Sequence, residues 1–180
     1  GQLTVLTEFE RRYIDTDGAT IHVRIGGAGP PLLLLHGYPQ THVMWHKLAS
    51  SLASDFTVVL SDLRGYGDSS KPPGGDGHVN YSKRVMAHDQ VEVMAALGYG
   101  RFAVAGHDRG ARVVHRMALD WPSKVVKAAV LDIAPTLTMY ERTDMAFATS
   151  YYHWFFLIQP ADLPERLIGG DPDFYVERKI

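Results

Sequence analysis

Four stretches of this 180-residue chain are apolar at nearly every position and then stop at a glycine or an acidic residue: "PPLLLLHG", "FTVVLSDLRGYG", "RFAVAGHDRG" and "VVKAAVLDIAP". A strand with one face in water alternates apolar and polar side chains, whereas a strand covered on both faces does not. Such runs constrain the chain to a largely parallel sheet, because parallel strands need crossovers and the crossover helices cover the sheet. The segments between the runs fit that role. In "NYSKRVMAHDQVEVMAALG", Ala87, Val91, Met94 and Ala95 fall on one helical face, and Gly98 supplies a C-cap. Ahead of the first run, "RRYIDTDGATIHVRIGGAG" reads as a hairpin turning at Asp17-Gly18. The order is hairpin, strand, helix, strand, helix, strand, helix, strand, which is an α/β plan.

In open α/β sheets ligands bind outside the carboxyl ends of the strands. The segments at those ends are "HGYPQ", "DLRGYGDSS", "GHDRGAR" and "DIAPT", while "KPPGGDGHVN" reads as a surface loop. Beyond Pro135 the chain turns helical and aromatic, as in "YYHWFF". This divides it into a core portion, 1–135, and the first part of a helical cap, 136–180. Near the end, Asp171 and Pro172 open a helix in "DPDFYVERKI" that no capping signal closes, so Ile180 is not expected to be a natural domain end.

Composition removes several function classes. With no cysteine there is no disulfide, thiolate metal site or cysteine nucleophile. A formal net charge of −2 without a long run of one sign argues against nucleic acid and against a polybasic membrane patch. No apolar run approaches the roughly 18 residues of a membrane span. The N-terminal residues lack the apolar core of a secretory signal. A cytoplasmic protein is expected.

The segment Gly106-His107-Asp108-Arg109-Gly110 carries the chemistry. It links a strand to a helix in the pattern G-x-D-x-G. In the serine form this is a nucleophile elbow, a sharp turn that lifts one side chain above the sheet. Aspartate needs no base to activate it, since its reference pKa is about 3.9. A carboxylate nucleophile suits attack on a saturated carbon bearing a leaving group, with an ester as intermediate. The plainer alternative is that Asp108 only caps the helix. Arg109 and Arg112 share a helix face beside it, and forked guanidinium donors suit a carboxylate. No serine occupies the elbow, which disfavours a serine esterase.

These residues carry a resemblance. From about Phe9 to Ile180 the chain resembles the fluoroacetate (haloacetate) dehalogenases of the α/β-hydrolase superfamily, through "LLLLHGYPQTHVMWHKL", "DLRGYGDSSKP", "AGHDRGARVVHRMALDWP", "VLDIAPT" and "YYHWFFLIQPADLPERLIGGDPDFYV". "HGYPQ" and "DLRGYGDSS" are shared widely with epoxide hydrolases; "GHDRGAR" together with "YHWFF" is more specific. The resemblance implies an α/β-hydrolase fold with a helical cap, and hydrolysis of the carbon–halogen bond with no metal and no organic cofactor. It implies Asp108 as nucleophile, Arg109 and Arg112 on the substrate carboxylate, and His153 and Trp154 as halide donors. It also implies that Asp132 orients the catalytic histidine, and that Tyr38 and Arg109 give backbone N–H groups to an oxyanion hole. His36 shapes its loop, and His107 is expected to point away from the nucleophile. A small halocarboxylate is the expected partner, and a homodimer is implied.

The resemblance breaks at the second step. The family's general base is a histidine beyond the cap, and none of the nine histidines here follows His153. A further halide-binding tyrosine is likewise absent. The chain is therefore expected to lack its hydrolytic base and to stall as an ester. Two alternatives stay open. An epoxide hydrolase would use the same aspartate with cap tyrosines such as Tyr151 and Tyr152. A catalytically incomplete fragment would keep only the carboxylate site.

Overall fold

The structure is a computed structural model, and it describes residues 5–179. The chain divides into two compact units, Gly1–Ile133 and Ala134–Ile180.

The first unit is built on a six-stranded sheet in the order β1-β2-β4-β3-β5-β6. The hairpin is β1 (Glu10–Thr16) and β2 (Ala19–Gly26), turning at Asp17-Gly18. Strand β2 pairs antiparallel with β4 (Thr57–Ser61). From there β4, β3 (Pro31–Leu35), β5 (Phe102–His107) and β6 (Val125–Leu131) run parallel. The helices are α1 (His46–Leu52), α2 (Lys83–Ala96) and α3 (Arg109–Asp120).

The unbroken apolar runs have the physical cause expected of them. Leu33 and Leu35 belong to one buried cluster, with Met94 of α2 and Val113 and Met117 of α3. Leu34, between them, faces the opposite cluster with Trp45, just before α1, and Ala49 on it. Both faces of β3 are covered, so neither tolerates a polar side chain.

Helix α2 departs from expectation at one residue. Ala87, Val91 and Met94 are buried, but Ala95 is exposed, and Met86 and Val93 take its place in the core. The buried arc is rotated so that Met86 and Val93 lie within it, and Ala95 falls just past its edge. Gly98 does follow the helix in a left-handed conformation, at φ +87°.

Strand β6 lies at the edge of the sheet, paired only with β5. Its residues from Val126 to Leu131 are exposed although the sequence is apolar.

Polar residues from the strand ends form a buried cluster. Asp62 is fully buried. Its Oδ1 accepts from the His42 backbone N–H at 2.7 Å and the His42 ring at 2.9 Å; its Oδ2 accepts from the His22 ring at 2.9 Å and the Asp68 N–H at 3.1 Å. Burial alone would raise the Asp62 pKa, but the hydrogen bonds from His22 and His42 hold it well below the usual carboxylate range. Arg64 forms a buried two-pronged pair with Asp89 of α2, at 2.6 and 2.7 Å. These bonds fix the loop after β4 from both sides.

A depressed carboxyl pKa adds stability above the unfolded-state value, near 4, and loses it as the pH falls toward the folded value. Asp62→Asn is therefore expected to cost about 3 kcal/mol or more at neutral pH, because four converging donors lose a charged acceptor. It should also flatten the loss of stability below about pH 4. Urea unfolding across pH checks both; a variant as stable as the parent would refute the account.

The second unit, taken by itself, is a set of short helices: α4 (Thr136–Glu141), α5 (Met145–Ser150), α6 (Tyr152–Phe156), α7 (Leu163–Gly170) and α8 (Pro172–Glu177). Asp144 and Asp171 cap α5 and α8, accepting from Phe147 and Phe174 N–H groups at 2.8 and 3.1 Å. Tyr140, Phe147, Tyr151, Trp154 and Phe155 form an aromatic cluster. No helix among the described residues is long and apolar enough to cross a membrane.

Candidate active site

Asp108 sits between β5 and α3 with φ 48° and ψ −116°. A non-glycine residue there stores roughly 1–3 kcal/mol of strain, which persists only where the surroundings fix it. The glycines on either side allow the turn. A Cβ on Gly106 would lie 2.5 Å from the backbone of Gly110, and a Cβ on Gly110 would lie 2.6 Å from the Leu35 carbonyl oxygen and collide with that of His36. Strand β5, helix α3 and the end of β3 thus meet at backbone contact, and Asp108 is lifted clear.

The Asp108 side chain does not cap α3. Its Oδ2 instead accepts a hydrogen bond from the Tyr38 backbone N–H at 2.9 Å. The capping alternative fails here. Tyr38 is held by its loop. His36, fully buried, donates from Nδ1 to the Gly37 carbonyl at 2.9 Å and accepts at Nε2 from the Leu63 N–H at 3.0 Å. That pattern needs a neutral ring, and burial does lower the His36 pKa. His36 therefore ties the loop after β3 to the loop after β4.

Arg109, first residue of α3, donates from Nη1 to the Tyr66 hydroxyl at 3.1 Å, and its guanidinium stacks 4.7 Å above the Tyr38 ring. Tyr66 packs edge-on against His36. Burial raises the Tyr66 pKa, so its hydroxyl stays neutral and accepts from Arg109. Sequence reasoning missed Tyr66; its one signal is its place in "DLRGYGDSS" at a strand end. Arg112 follows on the same helix, its N–H donating to the Asp108 carbonyl at 3.2 Å.

Asp132 follows β6 with φ 58°, and its side chain is 85% exposed. Its carboxylate lies 3.6 Å from Nε2 of His107. Both His107 and Asp108 pack against Gly37. The His107 Nδ1 and the Asp108 Oδ2 both lie 3.0 Å from the point a Gly37 Cβ would occupy.

The first unit thus brings together Asp108, Arg109 and the Tyr38 N–H, with Asp132 paired to His107. In the second unit His153 and Trp154 are neighbours on α6. His153 lies beside Tyr151 and Tyr152, and Trp154 is 5.4 Å from Tyr140.

The strand–elbow–helix with an acid at its apex coincides with a sequence match to the alpha/beta hydrolase fold over residues 30–177. The chain belongs to the alpha/beta hydrolase fold family. Within it, the chain is 56% identical over 169 residues to the fluoroacetate dehalogenase of Burkholderia sp, covering 94% of this chain and 56% of that relative. It is 36% identical over 173 residues to a soluble epoxide hydrolase of Corynebacterium sp. (strain C12), covering 96% of this chain and 59% of the relative. An alpha/beta hydrolase crystal structure from Nostoc sp PCC 7120 superposes with a TM-score of 0.94 at 64% identity, over 96% of this chain and 60% of that one. The chain therefore spans somewhat over half the length of the hydrolases it matches.

Proposed function

We propose that this hydrolase cleaves the carbon–halogen bond of small haloacetates, with Asp108 as nucleophile. The observation that carries the reading is the Asp108 carboxylate: it is lifted clear of the helix, one oxygen is held by the Tyr38 N–H, and Arg109 is adjacent. The 56% identity to a fluoroacetate dehalogenase supports the choice of substrate.

In the first step the other Asp108 oxygen, Oδ1, attacks the α-carbon. The carbon–halogen bond breaks, and halide leaves with its electron pair. Arg109 and Arg112 hold the substrate carboxylate, which aligns the α-carbon and makes the displacement effectively unimolecular. His153 and Trp154 are assigned to the departing halide on the resemblance alone; imidazole and indole N–H groups can replace its lost hydration. In the second step water adds to the ester carbonyl, whose oxygen is Oδ2. The Tyr38 N–H already bonded there, with the Arg109 N–H, would stabilise the oxyanion. A base takes the water proton, glycolate leaves and Asp108 is restored. Asp132 would orient that base, which the resemblance places after the cap.

A second reading, epoxide hydrolysis, is favoured by the 36% identity to a soluble epoxide hydrolase. It uses the same first oxygen but requires an acid for the opening ring. The two carboxylate-binding arginines have no task in it.

Intact mass spectrometry tests the proposal. Incubation with fluoroacetate or chloroacetate is expected to add one carboxymethyl unit, mapped to the peptide containing Asp108. An adduct with an epoxide and none with haloacetates would move the assignment to the second reading. No adduct with either, but retained glycolate binding, would leave a carboxylate-binding fragment.

A further inference from the structure

Helix α3 starts at the carboxyl end of β5, and helix α2 leads into the amino end of the same strand. The two helices pack against each other. The N-terminus of α2 therefore lies at the same end of the sheet as Asp108, and its first residue is Lys83. Lys83 is half-buried. Its ammonium contacts the Met86 sulfur at 3.9 Å, and no carboxylate lies within ion-pair distance of it among the described residues. A thioether is a weak acceptor and leaves a charged donor nearly unsatisfied. Asp108, before α3, and Arg109 and Arg112, on α3, are the charged groups near enough to act on Lys83 through space.

Three cations and one carboxylate thus share this end of the sheet. Burial first, then Arg109 and Arg112, lower the Lys83 pKa to about 8 against the opposing pull of Asp108. A lysine whose pKa is lowered on folding destabilises the fold while charged, so at neutral pH this residue carries a cost that packing does not explain. An anion placed among the three cations would remove it.

We propose that Lys83 is a third cationic residue of the carboxylate subsite, a positioning residue that draws the anionic substrate to Arg109 and Arg112 and tightens its hold. It does not touch the breaking bond. The proposal rests on the dehalogenase reading, because that reading places a carboxylate there. It makes the site selective for anions and unfavourable to neutral halides of the same size.

The test compares the chain with its Lys83→Met and Lys83→Arg variants. Glycolate, which cannot alkylate Asp108, is titrated by calorimetry across pH, and ester formation with chloroacetate is followed by intact mass. Lys83→Met is expected to weaken glycolate binding about fivefold near neutral pH, the effect of losing one partly screened charge interaction. It should raise the half-saturating chloroacetate concentration by a similar factor rather than slow the limiting rate, and raise the melting temperature of the ligand-free protein. Lys83→Arg should restore affinity. Parent affinity should fall toward that of Lys83→Met as the pH passes about 8, while the arginine variant holds. Unchanged glycolate affinity in Lys83→Met, with an intact parent site, would overturn the role of Lys83 and leave the dehalogenase reading standing. A parent chain that neither binds glycolate nor forms an ester would overturn both.

Discussion

Asp108→Asn is expected to abolish ester formation while leaving the fold and the carboxylate subsite intact. The side chain makes one described hydrogen bond, from the Tyr38 N–H to Oδ2, and an amide oxygen can accept it equally. It does not cap α3, so the helix loses nothing. What changes is nucleophilicity: the amide oxygen carries no full charge. A loss of roughly 10⁴-fold or more in the rate of adduct formation follows from removing a nucleophile. Intact mass over a chloroacetate time course measures this, with glycolate calorimetry as the control for binding. Adduct formation at the parental rate in Asp108→Asn would mean that another group attacks, and the elbow would lose its assigned role.

Gly110→Ala carries a large expected structural effect. The added methyl would meet the carbonyl oxygens of Leu35, at 2.6 Å, and His36. These are backbone atoms of β3 and the loop that follows it, so no side-chain rotation relieves the clash. Helix α3 must move away from the sheet or the end of β3 must give. Forced repacking of this kind costs about 3 kcal/mol or more, a large part of the stability of an ordinary domain. Moving α3 also displaces Arg109, Arg112 and Asp108 together. Gly100→Ala, where nothing lies within 4 Å, is the matched control and should be nearly neutral. Guanidinium unfolding of the pair measures the difference; equal midpoints would show that the close approach is not required.

The central strands β3 and β4 were legible because they are buried on both faces, and the burial is written as an unbroken apolar run; β6 carries such a run and is exposed. The hairpin was legible from Asp17-Gly18, and the elbow from two glycines bracketing an acid after a strand. Less was legible where partners are distant in sequence. His22 and His42 reach Asp62 across 40 and 20 residues, and Tyr66 meets Arg109 across 43. No local pattern announces such pairs, because the sheet order β2-β4-β3-β5 decides them. Ala95 was misplaced for a related reason: periodicity gives the width of a helical stripe, but the neighbours of α2 decide where it points. Lys83 carried no signal, since a lysine at the first position of a helix is ordinary until the residues facing it are known.

The elbow has a consequence for how this scaffold changes over time. Its shape is fixed by Gly106, Gly110 and the carbonyls of β3, none of which touches the chemistry of the side chain at 108. Position and reactivity are encoded by different residues. Exchange of the apical side chain can therefore redirect the reaction, from displacement at saturated carbon toward acyl transfer, with no rebuilding of the framework. The glycines cannot drift in the same way. The part of the site that looks chemically empty is the part least free to vary.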